Sequence, residues 1–181
     1  MKIAKRIVSA VAFAGAALAA QGAMAADISK PDTALNLTGG SDYLGHAISY
    51  NNVANVFSDR YTFTLTGASS IFAGVFSPSP SATTGLNILD LSLFNSSGLV
   101  LQGSQLSSGL TDQWQLNSGT LAAGSYFLQV TGVVLSKDAA FYSGGATVTA
   151  VPEPATYGMM LGGLALVGAM AARRRKSKDE A

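Results

Sequence analysis

The sequence has no cysteine and only one histidine, His46. Without cysteine the chain forms no disulfide and offers no thiol as a nucleophile or metal ligand. A zinc site would need His46 with carboxylates alone, yet residues 26–150 contain no glutamate, and their aspartates are scattered. Scattered aspartates also provide no carboxylate pair for glycoside hydrolysis. We therefore expect a protein without catalytic residues, resident metal or cofactor.

Charged residues are scarce as well, at 12% of the chain, and most of the basic ones lie at its two ends. Residues 26–150 carry seven aspartates against Lys30, Arg60 and Lys137, which gives this segment a net charge of −4. Phosphate backbones are repelled by such a surface. The charge pattern thus argues against nucleic acid as a partner.

The N-terminus has the three parts of a secretory signal peptide. A basic head precedes an apolar stretch over residues 7–20, and small residues follow it. The head consists of Lys2, Lys5 and Arg6, and the cleavage pattern is Ala23, Met24 and Ala25. We predict that residues 1–25 direct export through the general secretion machinery. Signal peptidase would then cut before Ala26.

The C-terminus begins with two prolines that resist both helix and sheet, so we expect residues 151–154 to form an extended stalk. Residues 155–172 carry no charge, and as a helix they would span about 27 Å, enough to cross a bilayer core. Four basic residues follow, Arg173, Arg174, Arg175 and Lys176. Because basic flanks stay on the cytoplasmic side, residues 173–181 are predicted to form a cytoplasmic tail.

This order of parts resembles the PEP-CTERM sorting signal of bacterial surface proteins. The motif residues are Val151, Pro152, Glu153, Pro154 and Ala155. The resemblance implies recognition by exosortase, cleavage at or near the triplet, and a path from the inner membrane to the cell surface or extracellular matrix. The five residues would then be a substrate site. The alternative is an ordinary single-pass anchor with a proline-rich stalk.

Between the two ends, residues 26–150 show short apolar stretches separated by Gly, Ser and Asn, without a helical period. Alternation is clearest in residues 60–66 and 124–132, and residues 88–94 and 99–101 flank hairpin-turn residues. Further strands are expected at residues 35–38, 70–76, 112–116 and 146–150. About eight strands at this spacing predict an all-β fold, an antiparallel β-sandwich of two packed sheets.

Two stretches of this segment resemble known families. Phe57, Asp59 and Tyr61 are similar to the motif of the FxDxF family of PEP-CTERM proteins. Residues 91–98 and 121–130 resemble the bacterial pre-peptidase C-terminal β-sandwich, an accessory binding domain. The first resemblance implies a role among exopolysaccharide, biofilm or outer-surface components, and the second implies a jelly-roll-like sandwich.

Asp59 shares the inward face of Phe57 and Tyr61, and a buried carboxylate is costly unless it accepts hydrogen bonds. We predict that Asp59 caps a turn at the start of its strand, with Arg60 in reach. The alternative is a calcium ligand, joined by aspartates of neighbouring loops. Those aspartates are Asp42, Asp90 and Asp112.

His46 is expected to be a surface or rim residue, because the chain has no G-x-S-x-G nucleophile motif. Five aromatic residues are predicted to belong to the core rather than to a sugar-binding face. They are Tyr43, Tyr50, Trp114, Tyr126 and Tyr142. Three functional hypotheses remain: a non-catalytic matrix or adhesion protein, a glycan-binding module, and a hydrolase with His46 in a cleft beside Ser and Asp.

Overall fold

The computed structural model describes residues 25–152 and 154–179, with side chains over 25–152 and 157–170. Within this part, ten strands precede one helix, α1 (Pro154–Asp179). The strands are β1 (Thr33–Ala34), β2 (Ser41–Ile48), β3 (Val56–Leu65), β4 (Ser69–Pro78), β5 (Leu86–Asn95), β6 (Gly98–Gln102), β7 (Ser104–Ser107), β8 (Thr111–Asn117), β9 (Gly124–Val134) and β10 (Ala140–Ala150). The predicted signal peptide lies almost wholly outside the described residues.

The strands form two five-stranded sheets. Sheet 1 has the order β1-β3-β9-β5-β6, and sheet 2 has the order β2-β10-β4-β8-β7. Every neighbouring pair is antiparallel except β1 and β3, which are parallel. The predicted all-β sandwich is therefore confirmed, with one parallel pair at an edge.

Alternation along the strands builds the core between the sheets. In β3, Phe57, Tyr61, Phe63 and Leu65 point inward and are buried, whereas the threonines between them face outward. β9 alternates in the same way and pairs with β3 along ten residues. The strands predicted at residues 60–66 and 124–132 are thus confirmed, and both extend further than the prediction.

Near the N-terminus one prediction was wrong and one strand was missed. The strand expected at residues 35–38 is a 3-10 turn at Leu37–Gly39, with the Asn36 side chain accepting a hydrogen bond from the Thr38 amide at 3.3 Å. β2 was missed because its glycine and its polar residues weaken the apolar pattern. Pairing with β10 along eight residues holds β2 in place.

At Gly103 the chain crosses from sheet 1 to sheet 2, since β6 ends and β7 begins on either side of it. The Gly103 amide donates to the Leu91 carbonyl at 2.7 Å. A Cβ at this position would lie 2.6 Å from that oxygen and 2.7 Å from the Gln115 carbonyl oxygen. The crossing therefore requires glycine.

Gly144 in β10 allows an equally close approach. A Cβ there would overlap the Gly74 carbonyl oxygen and lie 2.8 Å from the Val75 Cα. Neither backbone atom can turn aside, so we expect Gly144→Ala to destabilise the fold by about 1–3 kcal/mol. Chemical denaturation of the full chain measures the change.

Gly74→Ala is the matched control, because a Cβ at Gly74 would meet its nearest atom at 3.7 Å, an ordinary contact. Equal stability of the two variants would contradict the proposed overlap in β10.

Candidate functional site

Asp59 lies in the middle of β3 with its carboxylate buried between the two sheets. Its Oδ1 accepts a hydrogen bond from the Lys30 amide at 2.9 Å. Its Oδ2 accepts from the Tyr142 hydroxyl at 2.5 Å and lies 2.7 Å from His46 Nδ1. Three donors from three different segments thus satisfy one buried carboxylate.

Tyr61 extends this arrangement to the edge of sheet 2. Its hydroxyl accepts from the Gly45 amide at 2.8 Å and lies 3.0 Å from the Gly45 carbonyl oxygen and 2.8 Å from the Tyr142 hydroxyl. Lys30 Nζ donates to the same carbonyl at 3.0 Å and lies 4.1 Å from the centre of the Tyr61 ring. β2 is an edge strand, so these contacts cover backbone groups that would otherwise be open for pairing.

Phe57 supplies the apolar part of the same site. Its ring stacks on Tyr142 with centroids 5.5 Å apart, and it meets the His46 ring edge-on at 6.1 Å. We call the whole group the carboxylate cluster, which consists of Lys30, Gly45, His46, Phe57, Asp59, Tyr61 and Tyr142. All three residues of the FxDxF-like motif belong to it and join sheet 1 to sheet 2.

Burial in the carboxylate cluster keeps both phenols protonated. It raises the pKa of Tyr61 to about 12, despite hydrogen bonds that act in the other direction. Burial also raises the pKa of Tyr142, and the neighbouring Tyr61 and Asp59 raise it further. Burial lowers the pKa of Lys30, which the charge of Asp59 partly opposes.

The prediction that Asp59 caps a turn was wrong. Asp59 lies within β3, and Arg60 pairs instead with Asp32 at 3.6 Å on the surface. The carboxylate was placed correctly on the inward face. The sequence pattern did not predict the hydrogen-bond partners of Asp59, because Lys30, His46 and Tyr142 come from distant parts of the chain.

The aspartates considered as calcium ligands do not meet. Asp42 accepts from two amides near its own strand, Asp90 accepts from Ser92 and Gln102, and Asp112 accepts from the Ile88 and Gly109 amides. Within residues 25–152 and 157–170, no three side chains of the metal-binding types cluster together.

His46 is mostly buried, with 16% of its side chain exposed, and Asp59 is its hydrogen-bond partner. The His46 ring meets the Tyr142 ring edge-on at 6.3 Å, and among the described residues no serine hydroxyl is hydrogen-bonded to it. Of the five aromatic residues assigned to the core, Tyr126 and Tyr142 are buried and Trp114 packs against the core. For Tyr43 and Tyr50 the assignment was wrong, since 60% and 69% of their surfaces are exposed.

A second candidate site follows β10 directly. We call residues 151–155 the sorting strip. The Val151 amide still donates to the Ala68 carbonyl at 2.8 Å, and Pro152 is exposed. Pro154, expected in the extended stalk, is instead the first residue of α1, where its missing N–H needs no partner. Glu153 lies outside the described residues.

α1 continues through residues 173–176, whose side chains lie outside the described part. Every described side chain of the helix, over residues 157–170, is exposed. Among the residues that the structure describes, no helix combines the length and the hydropathy needed to cross a membrane.

Residues 150–176 match the PEP-CTERM protein-sorting motif. The chain carries a PEP-CTERM sorting signal. The match begins at the last residue of β10 and ends with the fourth residue of the basic run, so it includes the sorting strip and most of α1. The PEP-CTERM signal implies export, transient processing at the membrane and delivery to the cell surface, with exosortase as the processing partner.

The sandwich that carries the PEP-CTERM signal is similar to two solved structures. One is the pre-peptidase C-terminal domain of collagenase from Bacillus anthracis, with 15% identity over 66% of this chain and 96% of that chain and a TM-score of 0.42. The other is PliG from Aeromonas hydrophila, a periplasmic lysozyme inhibitor of g-type lysozyme, with 14% identity over 68% and 100% and a TM-score of 0.41. No curated protein is similar in sequence at a significant level. Likeness at this level says nothing about ligand or activity.

Asp59→Ala tests the carboxylate cluster. The substitution leaves three buried donors without their acceptor, and we expect it to lower the free energy of unfolding by about 3–5 kcal/mol. Asp32→Ala is the control, because the exposed pair of Asp32 with Arg60 contributes at most about 1 kcal/mol. Urea denaturation of the full chain measures both; similar losses would contradict a special role for Asp59.

The two buried phenols predict a steep loss of stability in alkali. A folded-state pKa above the unfolded value of 10.0 favours the folded state below pH 10, and this contribution is lost as pH rises through about 12 for Tyr61. Lys30 acts in the opposite sense below pH 10.5, because deprotonation relieves the cost of burying its charge. Above that pH each phenol should steepen the decline by roughly 1.4 kcal/mol per pH unit.

The slope of unfolding free energy against pH, measured between pH 10.5 and 12, checks this expectation. Tyr142→Phe should remove the contribution of one phenol, whereas Tyr50→Phe, outside the cluster and exposed, should leave the slope unchanged. An identical slope in wild type and Tyr142→Phe would contradict the expectation.

Proposed function

We propose that this chain is a non-catalytic surface protein whose folded sandwich associates with the exopolysaccharide or biofilm matrix, or serves in adhesion. The observation that carries the proposal is the direct connection of a PEP-CTERM sorting signal to the last strand of the sandwich. A signal in this position delivers a folded domain to the cell surface, so the work of the domain is expected outside the cell.

The carboxylate cluster supports the non-catalytic part of the proposal. Its one carboxylate is saturated by donors from the protein, and its phenols stay protonated over the ordinary pH range. General acid–base catalysis needs a group that can reach a substrate and exchange a proton with it. Asp59 is buried on all sides, so its chemistry serves the fold.

We propose the following processing steps on the route to the cell surface. Signal peptidase releases residues 1–25, and residues 173–181 stay in the cytoplasm. The uncharged residues 155–172 hold the chain briefly in the inner membrane; this stretch is longer than residues 157–170, the part of α1 whose side chains the structure describes. Exosortase then cuts at or near the triplet of Pro152, Glu153 and Pro154. We further propose that Phe57, Asp59 and Tyr61 are a true FxDxF motif, because each of them contributes to the contact between the sheets.

A glycan-binding module is the second candidate, and one observation favours it. Tyr43, Phe72, Phe76 and Phe141 each leave more than two fifths of their surface exposed, and all four belong to the outer face of sheet 2. Exposed rings gathered on one face of a sheet are typical of a binding surface.

Replacing Pro152, Glu153 and Pro154 with alanines tests the sorting step. Pro154 begins α1 and Pro152 precedes it, so the alanines should let the helix extend towards β10. We expect the uncut chain to accumulate in the inner membrane. Immunoblots of membrane and surface fractions measure the ratio of uncut to cut protein.

Lys178→Ala is the control, because Lys178 lies beyond the matched residues 150–176. Normal cutting of the triple-alanine chain would overturn the exosortase assignment. Mass spectrometry of the surface protein then identifies both mature termini, and a full-length chain dissolved in the cytosol would overturn the whole route.

A further inference from the structure

The outward residues of β2, β10, β4 and β8 form a broad surface, which we call the aromatic face. They alternate with the buried residues of each strand, and none of them is Asp, Glu, Lys, Arg or His. The domain around this face carries seven aspartates and a net charge of −4. An uncharged surface with exposed rings, on an exported domain that is otherwise acidic, is typical of a binding site.

Two rings of the aromatic face lie beside glycines. Tyr43 and Gly45 are two residues apart on β2, and a Cβ at Gly45 would overlap the Tyr43 ring, with the Cε1 atom at 2.6 Å. The ring therefore lies along the sheet over Gly45, and 60% of the residue remains exposed. Phe72 lies beside Gly74 at an ordinary contact distance, with its Cε1 4.0 Å from the position of a Cβ, and 47% of the residue is exposed.

Next to Tyr43 the aromatic face has a stretch without side chains, which we call the trough. Strand pairing places Tyr43, Gly145, Gly74 and Gln115 in one row across four strands. At the usual spacing of about 4.8 Å between strands, the row is about 14 Å long. Gly145 and Gly74 in the middle of the row carry no side chain, although the Phe72 ring reaches to 4.0 Å from the position of a Cβ at Gly74.

Hydrogen-bonding groups without charge surround the trough. Gln113, Gln115 and Asn117 face outward on β8, and Ser143 and Thr147 do so on β10. Flat rings bind the C–H faces of sugars, while amides and hydroxyls bind sugar hydroxyls. A neutral polymer matches this surface, whereas an acidic polymer would be repelled by the field of a domain with a net charge of −4.

We propose that the aromatic face binds a neutral polysaccharide, with the rings of Tyr43 and Phe72 as stacking platforms and Gly45 and Gly74 as their floor. This inference rests on the proposed function and specifies its ligand class. Gly45 has a double role in it, because its backbone bonds Tyr61 on the inner side and its missing side chain lets Tyr43 lie flat on the outer side.

Affinity electrophoresis of the full chain in detergent tests the proposal. The gels contain hydroxyethylcellulose, dextran or galactomannan as neutral probes and alginate as the acidic one. We expect at least one neutral polymer, and not alginate, to retard the wild type. Tyr43→Ala and Phe72→Ala should each weaken the retardation about tenfold, the usual loss for a central contact.

Two further variants distinguish the effect of the orientation of the Tyr43 ring from the effect of its presence. Tyr43→Phe keeps the ring flat and should bind like wild type. Gly45→Ala keeps Tyr43 but forces its ring off the sheet, so it should bind as weakly as Tyr43→Ala. Leu89→Ala, an exposed apolar residue of sheet 1, is the control and should have no effect. Thermal melts confirm that each variant is folded.

The proposal is overturned if no neutral polymer retards the wild type, or if the alanine variants bind as well as it does. It is also overturned if sedimentation shows that Tyr43→Ala and Phe72→Ala convert a dimer to monomers, since the face would then bind a second copy. A cell assay separates this proposal from the broader one. If the wild type is absent from the matrix polysaccharide fraction of the cells, the proposed function is refuted. If the wild type and the variants are present there in equal amounts, only the role of the aromatic face is refuted.

Discussion

The buried carboxylate of Asp59 is the interaction on which the contact between the sheets depends. A carboxylate without water is stable only if donors surround it, and here those donors come from the N-terminal segment, β2 and β10. Each donor fixes the position of its own segment, because none can leave without exposing an unsatisfied charge. One side chain of sheet 1 therefore determines where the edge of sheet 2 lies. Without disulfides, such a polar contact gives the sandwich the definite geometry that apolar packing alone does not specify.

The two long sides of the sandwich are closed in different ways. On one side the chain itself passes from β6 to β7 through Gly103, so the connection is covalent. On the other side the chain crosses twice, from β1 to β2 through residues 35–40 and from β2 to β3 through residues 49–55, and the carboxylate cluster adds side-chain contacts between β3 and β2. Tyr61 and Lys30 also occupy the Gly45 backbone groups at the edge of β2. Such protection matters because free strand edges promote aggregation.

Local patterns in the sequence predicted much of the fold. Alternation in β3 and β9 and the turn residues between β5 and β6 are properties of neighbouring residues, and they gave the correct strands. β2 was not predicted, because the contacts that explain Gly45 and His46 are made with Tyr61 and Asp59 of another strand. The same limit applies to the site. Phe57, Asp59 and Tyr61 were recognisable as a motif, but Tyr142 lies 83 residues from Asp59 along the chain, and no spacing rule links them. The exposure of Tyr43 likewise depends on which face of β2 packs inward.

The direct run of β10 into the sorting strip has a mechanical consequence. β10 lies between β2 and β4 and pairs with each of them along eight residues. Tension applied to the C-terminal end of β10, from whatever holds the protein to the surface, acts along the strand axis. Both ladders then bear the load in shear, with their hydrogen bonds sharing it in parallel instead of opening one by one. The strand that receives the attachment is thus among the hardest in the domain to pull out.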